Sequence, residues 1–409
     1  MSDQALDLLD LLDQQPEADP KHQPRTDFDG TAGTLTTGAL TTAPADYNEL
    51  LRQFGYDPEQ VEIVGDPRVS RWQQRARDKG TGQFTTEWLS AYKFQIRTRA
   101  EELDLPALYA AVEATTARKA KSKAKDAKGK KAKGKAKGSA PRPGRAVVVA
   151  WADVQTGKVD HLGGVPELLE RLEDKRARLR EYLERERPGN IIVADAGDLI
   201  EGFDNVASQM RMNGLSLMDQ VDIAAVELWK TLELCAEFAP VELLSIPSNH
   251  CAWRKSGSKE LAARPGDDWG LHINLRLERQ NQQAGLDATF TRAEPWEETL
   301  VTDVHGTRLG LAHGHQVSNP DQVKNWWAKM THSGAMDCHV LLTGHFHFPS
   351  LRPSGRDGAT GKARWHIQAS TLDNGSAWVR NKMGEDGDPA LTVFAIDSDG
   401  FDVRSYALL

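Results

Sequence analysis

Five times in this chain a run of apolar residues ends abruptly in acids, amides or histidines. AVVVAWA (146–152) runs into Asp153, IIVADAG (191–197) into Asp198, and VELLSIPS (241–248) into Asn249 and His250. RLGLA (308–312) meets His313 and His315, and VLLTG (340–344) meets His345 and His347. Continuous apolar runs of this length read as strands buried on both faces, as in parallel sheets covered by helices. Parallel strands need long crossovers, and helical spacing occurs at 165–185, 215–238, 267–283 and 320–333. Further strands are expected at 299–303 and 307–312, around the turn at His305 and Gly306. Two more, at 391–396 and 401–406, are hinged at 398–400. The class is α/β, with helices covering two packed sheets.

In an open α/β sheet ligands bind beyond the carboxyl ends of the strands, so these five loops should converge. A single Asp or His after a strand is an ordinary cap or turn residue. Five such loops with mixed Asp, Asn and His chemistry are not explained by turns. Carboxylate, imidazole and amide oxygen together suit a pair of borderline divalent ions such as Mn, Fe or Zn better than an all-oxygen Ca site. Two such ions, about 3.5–4 Å apart, need a bridging ligand; they activate water and neutralise a phosphate in line for attack. His345 and His347, two apart on one turn, can each face a different ion.

The rest of the chain bounds partners and compartment. No apolar run approaches the roughly 20 residues that span a bilayer, and the first 45 residues hold no apolar signal core. Three cysteines without a CxxC pair argue against a disulfide scaffold, and the expected compartment is a reducing cytoplasm. Net charge is −8, yet residues 118–145 carry 13 Lys and Arg against Asp126 alone, leaving −20 for the remainder. That block reads as a Lys/Ala/Gly linker that also grips polyanions by releasing phosphate counterions. Residues 1–45 are expected to be a disordered tail, with a Leu/Asp stretch at 5–13 that can form a short helix. Residues 46–117 read as a small α+β domain: a helix capped by Asp46, strands at 61–64, 69–75 and 88–97, and a helix from 101 to 117. Tyr92, Phe94 and Ile96 alternate with Lys93, Gln95 and Arg97, making a half-buried sheet. Trp72, Arg75, Lys93 and Arg97 on it are candidate nucleic-acid contacts. Residues 146–409 are the expected catalytic domain.

ADVQ, GDLIE, SNH, HGH and GHFH, in that order, resemble the five signatures of the calcineurin-like metallophosphoesterases. The resemblance covers residues 146–409. It is similar within that superfamily to the nuclease branch of SbcCD-type exonuclease subunits, and to the metallophosphoesterases of actinobacterial tailed phages. It implies a four-layer α/β/β/α sandwich and two divalent metals, Mn first, with Fe, Zn or Mg as alternatives. Asp153 would bind the first metal together with His347, and Asp198 would bridge both. Asn249, His313 and His345 would hold the second. His250 would protonate the leaving oxygen or steady the phosphate, and a hydroxide bridging the metals would be the nucleophile. The implied activity is phosphodiester hydrolysis of DNA, as an exo- or endonuclease. A homodimer and an SbcC-like ATPase are the implied partners, in the host cytoplasm if the chain is phage-encoded.

Three departures stand out. Gln155 occupies the position of the first-motif histidine, and an amide oxygen ligates borderline metals less strongly than imidazole. His161 is a conceivable substitute, though an exposed loop residue is the plainer reading. Ser248 replaces the usual Gly. The chain ends at Leu409 without a capping domain, so substrate gripping would fall to the basic linker and residues 46–117. Arg254, with Lys255, is a candidate phosphate contact, and His315 a candidate substrate or supporting residue. Glu201 and Asp204 can orient histidines, one of Trp326 and Trp327 can stack on a base, and Cys251 reads as a buried filler. The rival readings are a phosphomonoesterase or small-nucleotide phosphodiesterase, and a DNA-binding protein with a degenerate metal site.

Overall fold

Strict alternation along residues 92–97 builds the first sheet: Phe94 and Ile96 are buried while Gln95 and Arg97 face solvent. In the computed structural model the chain divides into two compact units, Met1–Leu103 and Asp104–Leu409. The structure describes residues 23–29, 32–77, 84–98, 106–111, 114, 140–203, 209, 213–253, 264–385 and 387–409. The first unit holds β1 (Arg25–Phe28), β2 (Ala32–Thr36), α1 (Tyr47–Gln53), β3 (Val61–Arg77) and β4 (Phe84–Thr98). They form one antiparallel sheet in the order β1-β2-β4-β3. Asp46 caps α1 by accepting the N–H groups of Asn48 and Glu49. Leu50 and Leu51 of α1 pack on Leu35, Val61, Phe94 and Ile96.

Two expectations change here. Part of the stretch expected to be disordered forms β1 and β2, because Leu35 supplies a fully buried side chain to the sheet. The Leu/Asp stretch at 5–13 and residues 118–139 of the basic linker lie outside the described residues. The two strands expected at 61–64 and 69–75 are one, since the ladder passes Gly65 through a register shift between Val64 and Arg68. Along the β3–β4 ribbon the Arg71 guanidinium lies over Trp88 and that of Arg75 over Phe84.

The second unit holds β5 (Arg142–Trp151), α2 (Val165–Glu186), β6 (Pro188–Asp195), α3 (Leu217–Ala236), β7 (Val241–Ser245), α4 (Trp269–Ala284) and β8 (Ala288–Arg292). There follow β9 (Thr299–Val304), β10 (Thr307–Ala312), α5 (Val323–His332), β11 (Val340–Thr343), β12 (Ser350–Arg356) and β13 (Ala363–Gln368). The chain closes with α6 (Ala377–Met383), β14 (Thr392–Asp397) and β15 (Gly400–Leu408). One sheet runs β15-β14-β5-β6-β7-β8, with β5 to β8 parallel. The other runs β12-β13-β11-β10-β9, with β10, β11 and β13 parallel. This is a mixed α/β unit with two sheets.

Period-two alternation assigns the faces. Val147, Val149 and Trp151 of β5 join Leu168, Leu172 and Leu179 of α2 and Leu228 and Leu232 of α3 in one core. Ala146, Val148 and Ala150 instead join Leu309 and Leu311 of β10 and Val340 and Leu342 of β11, so the two sheets share a second core. Ala312 and Leu341 point the other way, onto Val323 and Trp327 of α5. Trp327 is buried and its indole N–H donates to the Met336 carbonyl; Trp326 is half-buried against the same cluster. All three cysteines are buried, and burial pushes the Cys251 thiol well above its usual range, as suits a filler.

The strand expected from Ala146 begins at Arg142. Arg145, counted from sequence in the basic linker, is buried and meets Glu186 at 2.8 Å and Asp402 at 3.1 Å. It belongs to the core unit and is not free to bind polyanions. Leu228→Ala should destabilise the larger unit by about 2–5 kcal/mol, and exposed Val226→Ala by no more than about 0.5 kcal/mol. Urea unfolding followed by tryptophan fluorescence measures both.

Candidate metal centre

Six parallel strands, three from each sheet, carry the site at their carboxyl ends, and several turns there adopt backbone that only tight packing sustains. Among the described residues seven non-glycine positions have positive φ, and five of them are Asp153, Gln155, Asp198, His345 and His347. Each costs about 1–3 kcal/mol and persists only where the surroundings over-determine it. Clustering at strand ends shows what the strain serves: it turns each side chain back toward one point. Gly197 is required in its turn, because a Cβ there would stand 2.6 Å from His313 Nδ1 and from Ser248 Cβ.

Asp198 is the centre. Its backbone N–H donates to Ser248 Oγ at 2.8 Å, and its Oδ1 accepts the His250 N–H at 2.9 Å. The Ser in place of Gly at 248 thus has a role, receiving the amide that orients Asp198. Asn249 lies between these two contacts, in the turn after β7. Asp198 Oδ2 stands 3.0 Å from His313 Nε2, and neither atom has another hydrogen-bond partner among the described residues. His313 Nδ1 lies 2.7 Å from the Ala196 carbonyl, so Nδ1–H donates there and Nε2 is aimed at the carboxylate. Against the effect of burial, that carboxylate pushes the His313 pKa up to about 9, so the pair shares a proton that a divalent cation would displace. His345 completes the set: its ring centroid is 5.0 Å from that of His313, and ligand atoms of Asp198, His313 and His345 lie within 4.8 Å of one another. Carboxylate plus two imidazoles fits a borderline divalent metal.

The electrostatics agree. Burial alone would raise the Asp198 carboxyl, but His313 and His250 outweigh it and hold it well below its usual range. Burial, with His313 beside it, holds His345 well below its usual range and therefore neutral, as a ligand must be. Burial opposes the His250 cation, yet Asp198 and Glu201 push its pKa up to about 9. Its Nδ1 is backed by the Glu201 carbonyl at 3.0 Å, the Glu201 carboxylate at 3.3 Å and the Gln209 amide at 2.9 Å. Its Nε2 is turned to within 4.0 Å of Asp198 Oδ2.

Asp153 and His347 face the same centre from the other side, with His347 Nε2 3.6 Å from Asp153 Oδ1. Both Asp153 oxygens accept the His345 N–H, at 3.0 and 2.9 Å. Burial pushes the Asp153 carboxyl up. Gln155 is brought alongside, with its amide oxygen accepting from Lys158 Nζ at 2.6 Å. His161 does not replace it: its ring is held by Asp160 and packs over Gly375. The His315 ring lies tilted, its centroid 5.5 Å from that of His313, with Nε2 3.4 Å from Glu298. Arg254, Lys255 and Asp204 lie outside the described residues.

Comparison with known proteins adds little. No protein-family model matches this sequence, and no curated protein matches it. Among solved structures, a Vps29 mutant from Entamoeba histolytica is similar at 10% identity and a TM-score of 0.28, over 65% of this chain and 98% of that one. A predicted phosphoesterase from Streptococcus pneumoniae is similar at 13% identity and a TM-score of 0.25, over 65% and 97%. A structure of PhoD is similar at 10% identity and a TM-score of 0.30, over 92% and 83%. These overlaps are too shallow to carry an assignment, which rests on the geometry above.

Sequence reasoning missed Lys158 and Asp373. Lys158 is buried, with Nζ 2.5 Å from Asp373 Oδ2, and Asp373 lies 3.1 Å from His347 Nδ1. Burial works against the Lys158 ammonium, but Asp373 more than restores it. The only sequence signal for Asp373 was its place shortly after an apolar strand, and Lys158 had none. The fit of the donor set is testable by binding. Mn(II) should raise the melting temperature of the full chain, by up to about 2.7 kcal/mol of added stability at 100 times its Kd. Gly197→Ala, which crowds His313, should weaken that binding about 10–100-fold by calorimetric titration.

Proposed function

We propose that this chain is a divalent-metal-dependent phosphoesterase of the calcineurin-like type, in a four-layer α/β/β/α arrangement, that hydrolyses phosphodiester bonds in DNA. The observation that carries the reading is the buried pair of Asp198 Oδ2 and His313 Nε2, 3.0 Å apart and turned on one point with His345 and flanked by His250. Asp198, His313 and His345 would hold the metal, with Asn249 placed between the two contacts of Asp198 as a further oxygen donor. A bound divalent metal, Mn being the one the donors favour, supplies a Lewis acid for phosphate oxygens and lowers the pKa of water.

The protein's own groups supply the rest. His250 is held from behind by Glu201 and Gln209, so its Nε2 is the edge presented to an incoming phosphate. Held against the Glu201 carboxylate, His250 can carry a proton and pass it to the leaving oxygen. The Glu201 carboxylate then stabilises the ring in its charged form. DNA as substrate is supported by the run of 13 basic residues in an otherwise acidic chain. Arg145, committed to Glu186 and Asp402, is discounted from it.

End-labelled duplex and single-stranded DNA with Mn against Mg is the test. Cleavage in Mn should vanish with chelator and fall at least about 1000-fold in Asp198→Asn. His250→Ala should lose about 100- to 10,000-fold. Deleting 118–139, which spares Arg142 and Arg145 in β5, should flatten the salt dependence of DNA binding and leave hydrolysis of a small phosphodiester unchanged. Undiminished cutting by Asp198→Asn would sink the assignment of the site.

A further inference from the structure

Asp153, Gln155 and His347 are the residues that sequence assigns to a first metal ion, and their arrangement does not suit one. An ammonium has three donors and no acceptor, so the Gln155 atom 2.6 Å from Lys158 Nζ is the amide oxygen. That turns the Gln155 NH2 toward His347 Nε2, at 3.4 Å. Where a cation needs a lone pair, a donor stands. Asp153 shares the single His345 N–H between its two oxygens. Behind His347, Asp373 Oδ2 lies 3.1 Å from Nδ1 and 2.5 Å from Lys158 Nζ. Lys158 is only 6% exposed, so a unit of positive charge is fixed where a second divalent ion would meet like charge in a poorly screened interior. The opposite side of the site has the reverse character. There Asp198 Oδ2 and His313 Nε2, 3.0 Å apart, have no partner but each other among the described residues, and His345 adds a third ligand atom within 4.8 Å.

We propose that Lys158 takes the place of one of two cations: the site binds a single divalent metal, on Asp198, His313 and His345, and the ammonium clamped between Asp373 and Gln155 supplies the other positive charge. The inference rests on the metal-dependent reading above and deepens it by setting the number and position of the ions. Lys158 is a positioning residue. It acts through Gln155, whose NH2 it turns into the site, and through Asp373, which it shares with His347. The Asp153 and Asp373 carboxylates are thereby balanced by a charge that is part of the chain, independent of the metal supply.

The test is stoichiometry on the full chain, stripped with chelator and titrated with MnCl2, read by elemental analysis after equilibrium dialysis and by electron paramagnetic resonance. One Mn per chain with an uncoupled spectrum is expected up to about 100 times the Kd. Two Mn of comparable affinity with an exchange-coupled spectrum would overturn the inference while leaving the phosphoesterase reading intact; no Mn at all would overturn both. Position is read from two variants. His345→Ala should weaken Mn binding by more than about 100-fold, and His347→Ala by less than about 10-fold. The opposite ranking would overturn the placement. Gln155→His with Lys158→Met restores a lone pair and removes the ammonium, and should take up a second Mn within about 10-fold of the first. If that double variant folds, by circular dichroism, and still binds one, Lys158 is not what excludes the second ion. If it does not fold, the wild-type stoichiometry and the two histidine variants still decide.

Discussion

The carboxylate of Asp198 is wholly buried, and a buried charge is tolerated only when its surroundings supply partners for both oxygens. Here the partners come from different loops and from both sheets. The turn after β7 lends the His250 N–H to Oδ1 and the Ser248 hydroxyl to the Asp198 amide. The loop after β10 brings His313 to Oδ2. Satisfying this one group therefore fixes the relative position of three strand ends, and the remaining site residues follow from it. His250 is placed by its own backbone, His313 by the Ala196 carbonyl, and His345 by the two oxygens of Asp153. The left-handed turns at Asp153, Asp198, His345 and His347 are the backbone cost of that convergence, sustained by the apolar cores on either side of the strands.

The two sides of the site have opposite character. On one, the Asp198 carboxylate and the His313 ring face each other in a dry interior with only a proton to share, a donor set that a divalent cation would fit. On the other, the Gln155 and Asp373 oxygens accept from the Lys158 ammonium and Asp153 from the His345 N–H. A lysine in such a place is a compact point charge on a flexible stem. It can neutralise buried carboxylates, but it offers no open coordination position. The departure at residue 155 and the burial of Lys158 are thus two parts of one arrangement, since the glutamine oxygen is what completes the ammonium's shell.

The architecture was largely legible in the chain. Apolar runs ending in polar residues placed the parallel strands at β5, β6, β7, β10 and β11, because a strand buried on both faces admits no alternation and so marks itself. The strands β8 and β12 and the helix α6 were not visible. They are half-exposed or short, and such segments leave no clear period. The tail expected to be disordered carried β1 and β2 because average composition conceals a single well-placed apolar residue such as Leu35. Arg145 was misread for a related reason: a charge beside a basic run looks solvated until Glu186 and Asp402, distant in sequence, are brought to it.

The sequence by itself determined the α/β class and which loops hold the candidate chemistry, because hydrophobic period and residue type are local properties. Asp153, Asp198, Asn249, His250, His313, His345 and His347 could all be picked out as strand-end residues without coordinates. The orientation of each side chain was decided only by the tertiary structure. That Gln155 turns its oxygen away from the centre depends on Lys158 three residues later and on Asp373 more than 200 residues away. Whether a polar atom is a ligand or is already satisfied depends on what is packed against it, and that neighbour is set by the closing of two sheets over a shared core.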